Sequence, residues 1–246
     1  MAIDRTTVNR VRYVLEELLP PALRDSALFL PLMYLAYGRE ARRYISFRER
    51  VGRMSDAEYA AYYAELTPLM ARTDLSRACI EATLADLAGD RIADVGCGRG
   101  WLVRRIAGLR PSAQCVGIDI APPPADDLPD NLSFVEGWLG RLPFADGAFD
   151  TVVCTHTLEH LPDLDAALRD LRRLARRRLI IVVPREREYR YSFNLHVHFF
   201  PYLHTFLNRI GAPPGRHRCR LIGRDIYYVE EADEVALPAA GAERGD

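Results

Sequence analysis

Arg91-Ile92-Ala93-Asp94-Val95-Gly96-Cys97-Gly98-Arg99-Gly100-Trp101-Leu102 decides the fold of this 246-residue chain. Ile92 to Val95 read as a short buried strand, three alternate glycines make a tight turn, and Trp101, Leu102, Ile106 and Leu109 recur at helical spacing beyond it. Strand, turn and helix follow. Glycine suits such a turn because it tolerates positive φ and its missing Cβ lets a ligand approach the amides at the helix N-terminus.

The spacing says more than the glycines. A dinucleotide loop reads G-x-G-x-x-G and seats a pyrophosphate, whereas this one reads D-x-G-x-G-x-G, with an acid that repels an anion. Asp94 suits a cationic amine, and a carboxylate on the same ligand could use the amides beyond it. An amino acid joined to a nucleoside meets both demands; an ordinary strand-to-helix turn is the plainer alternative. With these residues the chain resembles the class I S-adenosylmethionine-dependent methyltransferases over roughly its C-terminal two thirds. The resemblance implies that Asp94, Gly96, Gly98 and Gly100 hold S-adenosyl-L-methionine.

Downstream features come in the matching order. Cys115 to Ile120 reads as a second strand ending at Asp119, placed like the ribose-binding carboxylate of doubly wound folds. A helix N-cap is the alternative for Asp119, but Ala121-Pro122-Pro123-Pro124 disfavours a helix start there. Leu142-Pro143-Phe144-Ala145-Asp146-Gly147-Ala148-Phe149-Asp150 and Leu158-Glu159-His160 are similar to the family's run into its fourth strand and the turn after it. One departure stands out. Many relatives carry an acid for the adenine amino group after the third strand, Leu132 to Glu136, where this chain reads Gly137-Trp138-Leu139-Gly140. The Trp138 indole could stack on adenine, with Glu136 or Arg141 as the alternative polar contact. Ile120, Trp138, Leu139 and Thr155 complete the expected cofactor-binding set.

Around this core, residues 1–73 read as a helical N-terminal extension or lid, 74–232 as the cofactor-binding core, and 233–246 as a polar, disordered tail. Val8, Val11, Leu15, Leu18 and Leu19 mark a first helical face that Pro20-Pro21 ends. Ala27 to Tyr37 is the most apolar run, shorter than the ~20 residues a bilayer requires; burial against the core is the expectation, an interfacial foot the alternative. Ser55-Asp56-Ala57-Glu58 is a capping box, followed by Tyr59, Tyr62 and Tyr63, read chiefly as packing rings. Thr73 or Asp74 should cap a helix over 75–87 and Asp163 the helix after the fourth strand.

Arg172, Arg173, Arg176, Arg177 and Arg178 then crowd a helix end, where cations complement the dipole, and read as a solvated face. Leu179 to Val183 is a central strand, a helix should occupy Phe199 to Ile210, and Cys219 to Val229 reads as a hairpin through Gly223-Arg224-Asp225. The fold class expected is α/β, a doubly wound, mostly parallel seven-stranded Rossmann-like sheet with an antiparallel last strand.

The formal net charge is −1, so no nucleic-acid partner is implied; that all 33 basic residues are arginine reads as a habit of genome composition. Five scattered cysteines without a C-x-x-C pair, and polar first residues without an apolar leader, point to a reduced cytoplasmic setting. Methyl transfer asks chiefly for in-line positioning, plus a base when the acceptor is a hydroxyl. His156, His160 and His196 are the catalytic candidates, with His198 a rival; the H-x-H pair lacks an obvious third ligand, so no metal is expected. The function expected is O-methylation of a small molecule, a sugar or secondary metabolite. A lipid-linked acceptor, a nicotinamide-dependent oxidoreductase and a non-catalytic cofactor binder are the alternatives, and homo-oligomerisation is left open.

Overall fold

The computed structural model describes residues 13–66, 73–191 and 194–232. Helices α1 (Leu30–Tyr37), α2 (Ala41–Arg50) and α3 (Asp56–Leu66) precede an alternation of β1 (Arg91–Val95), β2 (Gln114–Asp119), β3 (Leu132–Glu136), β4 (Phe149–Thr155) and β5 (Ala175–Pro184) with α4 (Arg77–Asp86), α5 (Trp101–Leu109) and α6 (Leu164–Leu174). The helix α7 (Leu203–Ile210) and the hairpin of β6 (His217–Ile222) and β7 (Asp225–Glu231) close the described chain. The strands form one sheet in the order β3-β2-β1-β4-β5-β7-β6. The first five run parallel, while β7 is antiparallel to both β5 and β6. This is the doubly wound α/β architecture read from the sequence.

Alternation along the central strands explains the two layers. Val152 and Cys154 of β4 join Leu164, Leu168, Leu171, Phe206 and Ile210 on one face, whereas Val153 joins Cys79, Ile80, Val103 and Ile106 on the other. Successive side chains of a strand point to opposite faces, so a strand covered on both sides reads as continuously apolar.

Local signals place most boundaries. The capping box forms as expected, Ser55 N donating to Glu58 Oε2 at 2.8 Å and Glu58 N to Ser55 Oγ at 3.3 Å. Asp163 caps α6 by accepting from Ala166 N at 2.9 Å. The cap of α4 is Ser76, which accepts from Cys79 N, rather than Thr73 or Asp74; Thr73 instead accepts from Leu75 N in the turn before it. Helix α7 begins at Leu203, later than expected, because Pro201 falls inside the segment assigned to it.

The arginine cluster departs from the expected solvated face. Helix α6 ends at Leu174, and Arg176, Arg177 and Arg178 are already in β5. Arg172 grips Glu230 through two nitrogens at 2.9 Å, Arg176 Nε reaches Asp150 Oδ1 at 2.9 Å, and Arg173 donates to the Leu142 carbonyl at 2.7 Å. Their acceptors come from remote strands and loops, and bidentate guanidinium pairing fixes those elements together.

Ala27 to Tyr37 is buried on one face only. Phe29 and Met33 enter a cluster with Tyr44, Phe47, Tyr59 and Leu195, while Leu28 and Leu35 stay 79% and 83% exposed. Among the described residues, no helix is long and apolar enough to cross a membrane. Val8, Val11 and the tail 233–246 lie outside the described residues.

Candidate active site

β1 and β4 are sheet neighbours although their chain positions are not consecutive, and the crevice at their C-terminal ends is where open α/β sheets bind ligands. The glycine turn leaves β1 there. Gly98 has φ +52° and open space where a Cβ would stand; Gly100 has φ +71°, and a Cβ there would run into the Phe134 ring. Gly98 thus keeps a ligand approach clear, whereas Gly100 serves packing and starts α5; it lines neither part of the crevice.

Two carboxylates flank the turn. Asp94 is 1% exposed and its Oδ1 meets no hydrogen-bond donor. Burial, then the charge of Asp119, push its pKa up to about 7, against the Val103 amide that favours the anion. Asp119 is held by Gly98 N at 2.8 Å and Ala121 N at 3.1 Å. Its side chain therefore fixes the turn and retains lone pairs for further donors.

The crevice has two parts that share Tyr63, Gly96 and Asp119. One, about 380 Å³, is lined by Asp94, Gly96, Gly98, Asp119, Thr155 and His156 together with Cys97 and Trp101. The other is lined by Ile120, Trp138, Leu139, Thr157, His160, Leu161, Tyr59 and Tyr63. Of the cofactor residues read from the sequence, all but Gly100 line one part or the other. Helix α3 closes over the second part. Tyr59 donates its hydroxyl to the His160 carbonyl at 3.0 Å and meets Trp138 edge-on at 5.6 Å. Arg141 pairs with Asp56 of the same helix and lies 5.3 Å over the Trp138 ring. Arg141 is thus engaged with α3, Glu136 is exposed, and of the three tyrosines read chiefly as packing rings Tyr59 and Tyr63 also form crevice wall.

The histidines divide by environment. His156 has φ +50° and sits between Glu159 at 3.5 Å and Asp225 at 3.4 Å. Burial opposes its charge, but the Asp225 and Glu159 carboxylates outweigh it and raise its pKa to about 10. At neutral pH it is an imidazolium and takes no proton, contrary to its expected part as a base. His160 is lowered to about 4 by burial and by His196 beside it. His160 Nδ1 faces the Leu195 carbonyl at 3.2 Å, so the ring donates there and keeps Nε2 as an acceptor. His196 is buried, its Nδ1 at 2.5 Å from Glu186 Oε2, and does not line the crevice. His198 turns away to the Leu161 carbonyl.

Sequence reasoning missed Glu186, Glu159 as an individual participant, and Thr157 and Leu161 as walls. Glu186 stands in an Arg-Glu-Arg-Glu run and is 2% exposed, a burial that the local pattern of alternating charges does not signal.

Residues 93–183 match a family model described as a methyltransferase domain. The chain is 36% identical over 99 residues to a ubiquinone biosynthesis O-methyltransferase of Xanthomonas euvesicatoria pv. vesicatoria, covering 36% of this chain and 39% of that one. It is 40% identical over 90 residues to a malonyl-[acyl-carrier protein] O-methyltransferase of Geobacter sulfurreducens, covering 34% of each. The chain thus spans well under half the length of these curated relatives. Among solved structures, a chain in the complex between the Haloferax volcanii Trm112 methyltransferase activator and a methyltransferase aligns over 76% of this chain and 97% of its own, with a TM-score of 0.51 and 14% identity, a likeness of fold alone. Turn, paired acids, strand order and the match over residues 93–183 together support a class I methyltransferase domain with S-adenosylmethionine as its cofactor.

Proposed function

We propose that the protein transfers a methyl group from S-adenosylmethionine to a hydroxyl of a small molecule, a sugar or secondary metabolite. The observation that carries the reading is the pair Asp94 and Asp119, two buried carboxylates on either side of a glycine turn that opens on one crevice. Asp94, with an unpartnered oxygen, would take the amino group, Asp119 the ribose hydroxyls, and Ile120, Trp138 and Leu139 the adenine; the bound cofactor supplies an electrophilic methyl. The relatives named above as O-methyltransferases favour oxygen as the acceptor atom. His160 Nε2, unprotonated at neutral pH, is placed to accept a hydrogen bond from an acceptor hydroxyl and orient its oxygen. A nicotinamide pyrophosphate is disfavoured by Asp94.

Cofactor affinity should depend on pH through Asp94. Its pKa in the free protein is raised to about 7, and an ammonium needs the carboxylate, so binding weakens as pH falls below 7. The loss should approach about tenfold per unit. Calorimetry between pH 5 and 7 checks this; a flat profile in the wild-type protein contradicts it.

A second reading, a lipid-borne acceptor, is favoured by the exposed Leu28, Leu32 and Leu35 beside the helices that cover the crevice. Incubating the protein with a methyl-labelled cofactor and cell extract separates the readings. Label in the aqueous metabolite pool supports the first, label in the lipid extract the second, and cofactor binding without label marks a non-catalytic binder.

A further inference from the structure

We propose that Glu159, His160 and His196 form a site for one divalent first-row cation of the zinc class, at the wall of the crevice that α3 covers. One ligand atom from each residue lies within 4.8 Å of the others. The outer contacts of both rings are already arranged for it. His160 directs Nδ1 to the Leu195 carbonyl and His196 directs Nδ1 to Glu186 Oε2, which leaves both Nε2 lone pairs for a metal. Histidine ligands are oriented in this way by carbonyls and carboxylates behind them.

Glu159 is the independent observation. It is fully buried, and neither carboxylate oxygen accepts a hydrogen bond. A buried carboxylate in that state is costly, and a coordinated cation satisfies it. His156 Nδ1 lies 3.5 Å from Glu159 Oε1, but that ring also faces Asp225, and the other Glu159 oxygen remains open to an ion. The backbone brings the ligands together: Val197 N and His198 N donate to the Glu159 carbonyl at 2.7 and 3.0 Å, which presses the loop after β5 onto the turn after β4. The ring centroids of His160 and His196 are consequently 4.7 Å apart. The pairing read from the sequence, His196 with His198, is not the one that forms.

Two imidazoles and one carboxylate suit zinc and its neighbours rather than magnesium or calcium. Three protein ligands leave a coordination position open, the pattern of catalytic rather than structural sites. His160 lines the crevice, so with the ion bound its Nε2 is occupied and an acceptor hydroxyl would be held by coordination to the ion in place of the hydrogen bond to the ring; this role, unlike the site itself, rests on the methyl-transfer reading.

The test uses the full chain without an affinity tag, stripped with a chelator and titrated with Zn²⁺ by calorimetry and with Co²⁺ by visible absorption. One ion per chain is expected, with a zinc X-ray absorption spectrum showing two imidazoles. His196→Ala and Glu159→Gln should each weaken zinc binding at least about 100-fold, the loss expected of a metal ligand or its immediate support. Circular dichroism checks the fold of each variant, and the wild-type absorption spectrum decides the matter should both fail to fold. Absence of saturable one-to-one binding, undiminished binding in folded His196→Ala, or a spectrum without imidazole would overturn the site. S-adenosylmethionine titrated into the same preparation separates the two ideas. Zinc binding without cofactor binding supports the site and removes the methyl-transfer reading, while cofactor binding without zinc removes the site alone.

Discussion

Asp119→Ala is expected to weaken S-adenosylmethionine binding by about 10² to 10³-fold. The carboxylate already accepts from Gly98 N and Ala121 N and has capacity left for two hydroxyl donors. Two hydrogen bonds to a charged group, at roughly 1.5–2 kcal/mol each, amount to about 3–4 kcal/mol, and each 1.4 kcal/mol is a factor of ten in affinity. The substitution also frees the Gly98 amide, so the turn loses the contact that fixes its conformation. Asp119→Asn keeps the shape and one acceptor oxygen and should fall between Asp119→Ala and the wild type. Calorimetry on the three chains measures the series. Equal affinities would mean that Asp119 does no more than hold the turn.

His156→Leu should cost the fold about 3–5 kcal/mol, the usual penalty for breaking a buried charge pair. The imidazolium stands 3.5 Å from Glu159 and 3.4 Å from Asp225, both buried, and its removal takes away the positive charge they share. Against a typical stability of about 5–15 kcal/mol this is a large fraction. For a chain of this size the melting temperature should fall by roughly 6–20 °C. Asp225→Asn added to His156→Leu should recover part of the loss, because one of the two negative charges that faced the imidazolium is then gone. Scanning calorimetry reads both effects. A melting temperature within a degree or two of the wild type would show that the ring does not balance these acids.

What the sequence revealed follows from the range of the interactions. The glycine turn, the acid at the end of β2, the capping box at Ser55 and the cap at Asp163 are local patterns, and each forms where its residues predict. Gly100 matches the cofactor loop in sequence but packs against Phe134, since which side of a turn faces the ligand depends on a strand more than 30 residues away. The arginines of 172–178 were misread for the same reason: Asp150 and Glu230, which they hold, come from other strands. The histidine assignment suffered most. His156, His160 and His196 look alike in a sequence, yet Asp225, Leu195 and Glu186 make one a cation, one a neutral acceptor and one a buried partner of a carboxylate. Charge state at a site is set by burial and by neighbours, neither of which a local pattern carries.

The reversed direction of β7 has one last consequence. Because that strand runs against β5, its first residue, Asp225, sits opposite Pro184, at the same rim of the sheet as the end of β4. A parallel strand would have put that acid at the far rim, about 20 Å away across the six steps of a seven-residue strand at about 3.3 Å each. The family-matched stretch 93–183 is therefore not electrically self-sufficient: excised before the terminal hairpin, it would keep the His156 cation and forfeit one of its two balancing anions.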